Sequence, residues 1–278
     1  MADLIVGICR FSYLGRGDWA VYAGLERGSA AEMQARERAA RTLYDPARLE
    51  MRFRSFETLT LPSIKAQRQP DFQFIVLTSP AMPPEYRSRL ERLCAGDGRL
   101  HLLVSEAPDV GAAIEPLLAQ LSEGGRHRLM QFRLDDDDCL GVDYMTALHR
   151  ATAATRDYEA LAFSMPRGLL VSHYTGAGPA WYELDKPFHS AGAALRPRSP
   201  AQCVYSFGHY ALMRRFPSVL DPRFHGSLQL KLEGHDSRPV QPGPRSGLTV
   251  LQRAIFAEHL ARAFPFVDMA LLEELLHA

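Results

Sequence analysis

The sequence predicts an α/β fold: a mainly parallel sheet sandwiched by helices, with a small antiparallel addition. Two observations carry this. Up to about residue 154, short apolar strands alternate with helical segments, as parallel strands joined by crossover helices require. After Tyr158 the apolar runs shorten and Gly/Pro turns separate them, as in hairpins. The 278 residues are enough to bury a full core without disulfides or metal staples. They read as one continuous domain whose halves, 1–140 and 141–278, meet just after a run of aspartates.

Residues 4–11 (LIVGICRF) form an apolar run without helical period, a buried strand. Residues 12–28 are punctuated by glycines and read as loop. Residues 30–43 are polar and Ala-rich, hence helical. Asp45-Pro46 then supplies a cap and first turn for a segment in which Leu49, Phe53, Phe56, Leu59 and Ile64 recur at helical spacing, either one major helix or two helical pieces broken near Pro62. Strands follow at 72–78, 100–104 and 129–134, alternating with helices at 84–94, 110–121 and 144–154. Beyond these, residues 161–164, 169–174 and 181–184 read as the antiparallel strands. A helix is expected over 203–216, a strand over 228–232, a Pro/Gly-rich loop over 236–247, and a C-terminal helical segment interrupted at Pro265.

Thirty-two basic residues balance 32 acidic ones, which argues against a general nucleic-acid binder. The balance is uneven along the chain, because 196–245 holds eight Arg/Lys against Asp221, Glu233 and Asp236. Cys9, Cys94, Cys139 and Cys203 are widely spaced, with neither CxxC nor clustered histidines, so a reducing, cytoplasmic setting is expected. No stretch approaches the roughly 18 apolar residues of a membrane span.

The main chemical signal is Asp135-Asp136-Asp137-Asp138, which directly follows the strand LMQFRL. Adjacent carboxylates repel, and their hard oxygens suit Mg²⁺ or Mn²⁺, which bridges substrate phosphates. In an extended segment residues i and i+2 point the same way, so Asp136 and Asp138 face one ligand. The alternative is an acidic loop that caps the following helix. In open α/β sheets ligands bind beyond the carboxyl ends of strands, where these aspartates fall.

Around this signal the chain resembles a known group. SIKAQRQPDFQFIVLTS (63–79) is similar to the first helix-to-strand passage of GT-A nucleotide-sugar glycosyltransferases, and FRLDDDDCL (132–140) stands where those enzymes carry a DxD motif. More closely, ICRFSY (8–13), LYDPARLEMRFRSFETLTLPSIKAQ (43–67), DFQFIVLTSPAMPPEYRSRL (71–90), FRLDDDD and EGHDSR (233–238) resemble the bacterial family of putative rhamnosyltransferases.

The resemblance implies a GT-A-like fold, a nucleoside-diphosphate sugar donor, a glycan or other hydroxyl acceptor, and Mn²⁺ or Mg²⁺. The first half would bind the donor and the second the acceptor. Asp136 and Asp138 match the DxD pair, with Asp135 and Asp137 as neighbours, and the sugar transferred would be a hexose such as rhamnose. The downstream metal-ligating histidine of such enzymes falls at His235, with Glu233 second and His209 and His225 behind. Arg10, Phe11 and Ser12 would meet the nucleobase. Thr78 and Ser79 stand where a base- or ribose-binding aspartate is usual. Arg133, Lys231 and Arg238 are the candidates for the diphosphate. If transfer inverts the sugar, a carboxylate must deprotonate the acceptor, and Glu183 and Asp185 in WYELDKPF are the expected bases. Two other classes compete: a metal-dependent phosphohydrolase with an aspartate nucleophile, and a non-catalytic acidic-loop protein that binds sugars or Ca²⁺.

Overall fold

The structure, a computed structural model, describes residues 3–16, 24–176, 178–199, 202–233, 241–243 and 245–276. The first strand, β1 (Asp3–Arg10), is followed by α1 (Ala30–Leu43). Ser29 caps that helix by accepting a bond from the Glu32 amide (3.1 Å). Asp45 likewise caps α2 (Pro46–Ser55) through the Arg48 amide (3.1 Å).

Of the two readings of this segment the single helical run holds, with a change of pitch in place of a break at Pro62. A π-turn spans Phe56–Thr60 and runs directly into α3 (Leu61–Lys65). Proline has no N–H for the carbonyl four residues back. The π-turn shifts the ladder by one residue, so Pro62 enters the first turn of a new helix, where a missing N–H is harmless.

Next come β2 (Gln73–Thr78), α4 (Pro84–Cys94), β3 (Leu100–Val104), α5 (Val110–Leu121), β4 (Arg128–Leu134), β5 (Asp138–Leu140) and α6 (Tyr144–Ala154). The second half contains β6 (Leu161–Ser164), β7 (Arg167–His173), β8 (Ala180–Asp185), β9 (Ala194–Arg196), α7 (His209–Arg215), β10 (Ser218–Leu220), β11 (Ser227–Leu232), β12 (Leu248–Val250), α8 (Arg253–Ala263) and α9 (Met269–Leu276). The helix expected over 203–216 is shorter. A 3₁₀ turn at Val204–Ser206 gives way to extended backbone at Phe207 and Gly208 before α7 begins. Ser206 Oγ accepts from the Cys203 amide (3.0 Å), a local bond that competes with a helical ladder.

Among the described residues the strands form two sheets. The first has the order β10-β6-β9-β4-β1-β2-β3. Strands β4, β1, β2 and β3 run parallel, and β9 is antiparallel to both β4 and β6. One face, with Ile5, Cys9, Phe74 and Phe132, packs against Phe53, Leu90 and Met145 of the flanking helices. The other face, with Val6, Ile8, Ile75 and Leu77, packs against Ile114 and Leu118 of α5. The second sheet has the order β12-β8-β7-β11-β5. It has five strands, so the addition is larger than expected, and it is mixed because β7 and β11 are parallel. Its core joins Leu169, Val171, Leu228 and Leu230 to Phe256, Leu260 and Leu272 of α8 and α9. The expected antiparallel strand 161–164 belongs to the first sheet. Strands of both sequence halves therefore enter both sheets. No helix among the described residues is long and apolar enough to cross a membrane.

Candidate active site

The aspartate run is the crossing between the two sheets. Strand β4 ends at Leu134 in the first sheet, and β5 begins at Asp138 in the second, with a turn between. Asp136 and Asp138 are 1% and 2% exposed, while Asp135 and Asp137 between and beside them are half-buried. The Asp138 amide donates to the Asp135 carbonyl (3.3 Å), so Asp136 and Asp137 form a tight turn rather than the extended segment expected, and the burial alternates across that turn.

Each aspartate meets different partners. Asp135 Oδ1 accepts from Arg10 Nη2 (3.3 Å) and lies 3.8 Å from Arg133 Nη2. Burial raises its pKa, but Arg133 and Arg10 outweigh this and hold it below the ordinary value. Asp136 Oδ1 pairs with Arg52 Nη1 from α2, yet burial still pushes its pKa up to about 6. Asp138 Oδ2 accepts from Gln229 Nε2 (3.4 Å). Burial, then the charge of Asp137, raises its pKa well above the ordinary value, and Lys231 counters in part. Two oxygens, Asp136 Oδ2 and Asp138 Oδ1, are buried without a hydrogen-bond partner. Buried carboxylate oxygens in that condition are costly unless a cation or donor meets them. They fit a small divalent ion, which needs one or two carboxylates and completes its shell with water and phosphate. Among the described residues no third His, Cys, Asp or Glu converges on them. His235, the expected third ligand, and Arg238 lie outside the described residues.

Arg10 and Arg133, at the ends of adjacent parallel strands, both lie over the ring of Tyr205, 4.5 and 4.7 Å from its centre. The Tyr205 hydroxyl donates to the Ile8 carbonyl (2.9 Å), which anchors the ring to β1. Sequence reasoning missed Tyr205, because its segment reads as helix and a lone aromatic there carries no signal. Lys231 shares with Gln229 the face of β11 that carries the Asp138 side chain.

The expected nucleobase residues divide. Ser12 has φ 47° and a buried hydroxyl without a hydrogen-bond partner, so a strained, unspent polar group sits at the carboxyl end of β1. Phe11 is fully buried, its ring 4.6 Å from Phe53 and 5.1 Å from Phe56. It belongs to the core, because just past β1 it continues the row of Ile5 and Cys9 on the face packed against α2. Thr78 Oγ1 donates to Met82 Sδ (3.8 Å), and Ser79 Oγ accepts from the Leu14 amide (2.9 Å). Both hydroxyls serve the loops at the carboxyl ends of β1 and β2.

Glu183 and Asp185 are not brought to the aspartates. Glu183 shares a row of the second sheet with Leu169, Leu228 and Cys139, all in the core beneath α8 and α9. Paired residues point to the same face, so Glu183 and its alternate Asp185 lie opposite Asp138. There Glu183 Oε1 accepts from Arg167 Nε (3.0 Å) and from His225 Nε2 (3.0 Å). Trp181, on that same face, packs on Phe256 (4.9 Å). Glu233 accepts from the Thr175 amide (2.9 Å).

A separate cavity of about 1430 Å³ opens between α2 and the ends of β7 and β11, lined in part by Arg48, Met51, Ser55, Tyr174 and Glu233. It contains neither Asp136 nor Asp138, and its Arg89 is already bonded to Glu50 and Glu57.

This chain brings carboxylates and guanidiniums together at the carboxyl edge of a mainly parallel α/β sheet, and its class is that of the glycosyltransferases. It belongs to the family described as "Putative rhamnosyl transferase", whose sequence profile matches residues 4–244. No curated protein matches it. Among solved structures it is similar to Staphylococcus aureus "TarS 1-349", with a TM-score of 0.40 at 8% identity, covering 82% of this chain but only 60% of that one. It is likewise similar to the same protein in complex with UDP-GlcNAc (TM-score 0.42, 10% identity, 98% and 70% covered). A third is the "putative nucleotide-diphospho-sugar transferase" of Desulfovibrio desulfuricans (TM-score 0.41, 9% identity, 100% and 98% covered).

Proposed function

We propose that this protein transfers a sugar, rhamnose by the description of its family, from a nucleoside-diphosphate donor to a hydroxyl acceptor with the help of a divalent cation. The observation that carries the reading is the pair of buried, unpartnered oxygens on Asp136 and Asp138 at the crossing of the two sheets. These two residues would hold Mn²⁺ or Mg²⁺, which when bound neutralises charge developing on the leaving diphosphate. Arg10 and Arg133, stacked on Tyr205, are poised to meet the phosphates from the first sheet, and Lys231 from the second. Ser12 offers its spare hydroxyl to the nucleoside. Four buried, unpaired cysteines support a reducing, cytoplasmic setting.

The test is binding of thymidine, uridine and guanosine diphosphates with and without Mn²⁺, read by thermal shift and titration calorimetry. In Asp138→Ala the Mn²⁺-dependent part of nucleotide binding should vanish while the fold persists. Unchanged Mn²⁺-dependent binding in Asp136→Ala and Asp138→Ala would overturn the assignment.

A further inference from the structure

Transfer with inversion needs a group that takes the acceptor's proton, and several acids of the second half are already engaged. Glu183 faces α8 and holds Arg167 and His225, Asp221 is bonded twice to Arg223, and Glu233 is bonded to Thr175. We propose that His209 is the general base that deprotonates the acceptor hydroxyl, an inference that rests on the glycosyl-transfer reading above.

His209 opens α7 with its ring half-buried. Its Nδ1 lies 2.5 Å from the Phe188 carbonyl oxygen. A carbonyl can only accept, so Nδ1 carries the proton and donates it. The lone pair is therefore on Nε2, which meets no hydrogen-bond partner among the described residues.

Phe188, which fixes this tautomer, is itself unusual. It is fully buried with φ 54°, a left-handed conformation that a bulky side chain adopts only under constraint. Its amide donates to Ser164 Oγ (2.9 Å) while its carbonyl receives the imidazole, so both polar ends are pinned. The turn that follows is tied to the strand carrying the aspartates: Gly192 N donates to the Arg133 carbonyl (2.9 Å), and Arg133 N to the Ala193 carbonyl (3.1 Å). The imidazole is thus held in fixed relation to the end of β4.

The groups that act on the ring are Arg133 and Asp135 from that strand end, Lys186 after β8, and His189; the Tyr210 ring is 4.0 Å away. Burial pushes the imidazole below its ordinary pKa of 6.5, and Arg133 and Lys186 act in the same direction, against the Phe188 carbonyl and Asp135. At neutral pH the ring is neutral, as a base must be. His189 is unsuited to this role, being only 4% exposed. It donates Nε2–H to the Met165 carbonyl (3.1 Å), and burial pushes its pKa down to about 4.

In the step, the acceptor O–H gives its proton to Nε2 as its oxygen bonds to the anomeric carbon. The anomeric C–O bond to the diphosphate breaks, and its electron pair leaves on the diphosphate. The imidazolium then returns the proton to solvent, and the glycoside forms with inversion.

The experiment uses the full chain and its His209→Asn and His209→Ala variants. Thymidine-, uridine- and guanosine-diphosphate rhamnose serve as donors with Mn²⁺, and water and p-nitrophenyl glycosides as acceptors; diphosphate release gives turnover and calorimetry gives donor affinity. Asparagine places an N–H where Nδ1 was, keeping the bond to Phe188, but has nothing at Nε2. His209→Asn should retain donor affinity and lose about 10²–10⁴-fold in turnover, and added imidazole should restore part of the turnover of His209→Ala. Turnover in His209→Asn within about threefold of wild type, or a loss of donor affinity parallel to the loss of turnover, overturns the assignment. A wild-type chain that binds no donor, or binds one without releasing diphosphate, instead overturns the glycosyl-transfer reading itself.

Discussion

Replacing Asp136 by asparagine should make the free protein more stable and, under the proposed function, abolish Mn²⁺-dependent nucleotide binding. Asp136 is 1% exposed, and burial lifts its pKa from 3.8 to about 6 despite the nearby Arg52. A shift of roughly two units corresponds to at most about 3 kcal/mol of disfavoured ionisation above pH 6. Asparagine removes that cost, keeps an oxygen for Arg52, and relieves the neighbouring aspartates of one like charge. The shift is already net of the attraction to Arg52, so the gain is at most about 3 kcal/mol, a rise in Tm of up to roughly 6–9 °C for a chain of this size.

The sign of the pH dependence follows from the direction of the shift. The folded pKa lies above the unfolded one, so the unfolded state holds fewer protons between them and wild-type stability falls as pH rises through that window. The advantage of Asp136→Asn should be full above pH 6 and disappear as pH falls towards 4. Urea unfolding of both proteins at pH 7.5 and pH 4, with Mn²⁺-dependent nucleotide binding measured alongside, tests this. A variant less stable than wild type at pH 7.5, or a gain independent of pH, would refute charge burial as the cause.

Other perturbations probe the frame around the site. Arg196 is 1% exposed and donates to the carbonyls of Thr155 (3.0 Å), Tyr158 (3.1 Å) and Thr152 (3.3 Å) while pairing with Asp3. Arg196→Met should cost about 3–5 kcal/mol in urea unfolding, and Asp3→Leu in the same chain should recover part of it, since breaking one side of a buried pair is worse than removing both. A Cβ at Gly7 would lie 2.2 Å from the Phe132 ring and 2.5 Å from Phe74, so Gly7→Ala should lose about 1–3 kcal/mol, measurable by the same method. Tyr205→Phe, which keeps the ring beneath Arg10 and Arg133, should leave nucleotide affinity near wild type; Tyr205→Ala should weaken it by about 0.5–2 kcal/mol in calorimetry.

Much of the scaffold was legible because its boundaries are written in local chemistry. The helices over 84–94, 110–121 and 144–154 match the expected ones residue for residue, and Asp109, which accepts from the Ala112 amide (2.9 Å), shows how a cap marks such a start. The strands β5, β9, β10 and β12 span three residues each, too few to show any period. The face of Glu183 was illegible for a different reason. In WYELD the apolar residues alternate imperfectly and both faces are buried, so only the pairing with β7 and β11 shows which side is which. The aspartate run announced itself because adjacent like charges need compensation. Its main compensator, Arg52, lies 84 residues away, and no sequence rule connects the two.

The placement of the run between sheets explains how four adjacent acids hold a defined geometry. Asp135 is gripped by cations of the first sheet, Arg10 and Arg133. Asp138 is gripped by Gln229 of the second and, at its backbone carbonyl, by Thr60 Oγ1 (2.8 Å) from the π-turn. Gln67 secures the exit, donating to the Gly141 carbonyl (3.0 Å) and accepting from the Met145 amide (3.0 Å). Each sheet has its own apolar core, so neither end of the crossing can relax without disturbing well-packed side chains. Repulsion that would splay the carboxylates on a surface loop is thereby held in place, and under the proposed function a cation would relieve it. The same constraint makes the site intolerant of changes to its supports: loosening Thr60 or Gln67, which touch no substrate in this reading, would release the geometry on which Asp136 and Asp138 depend.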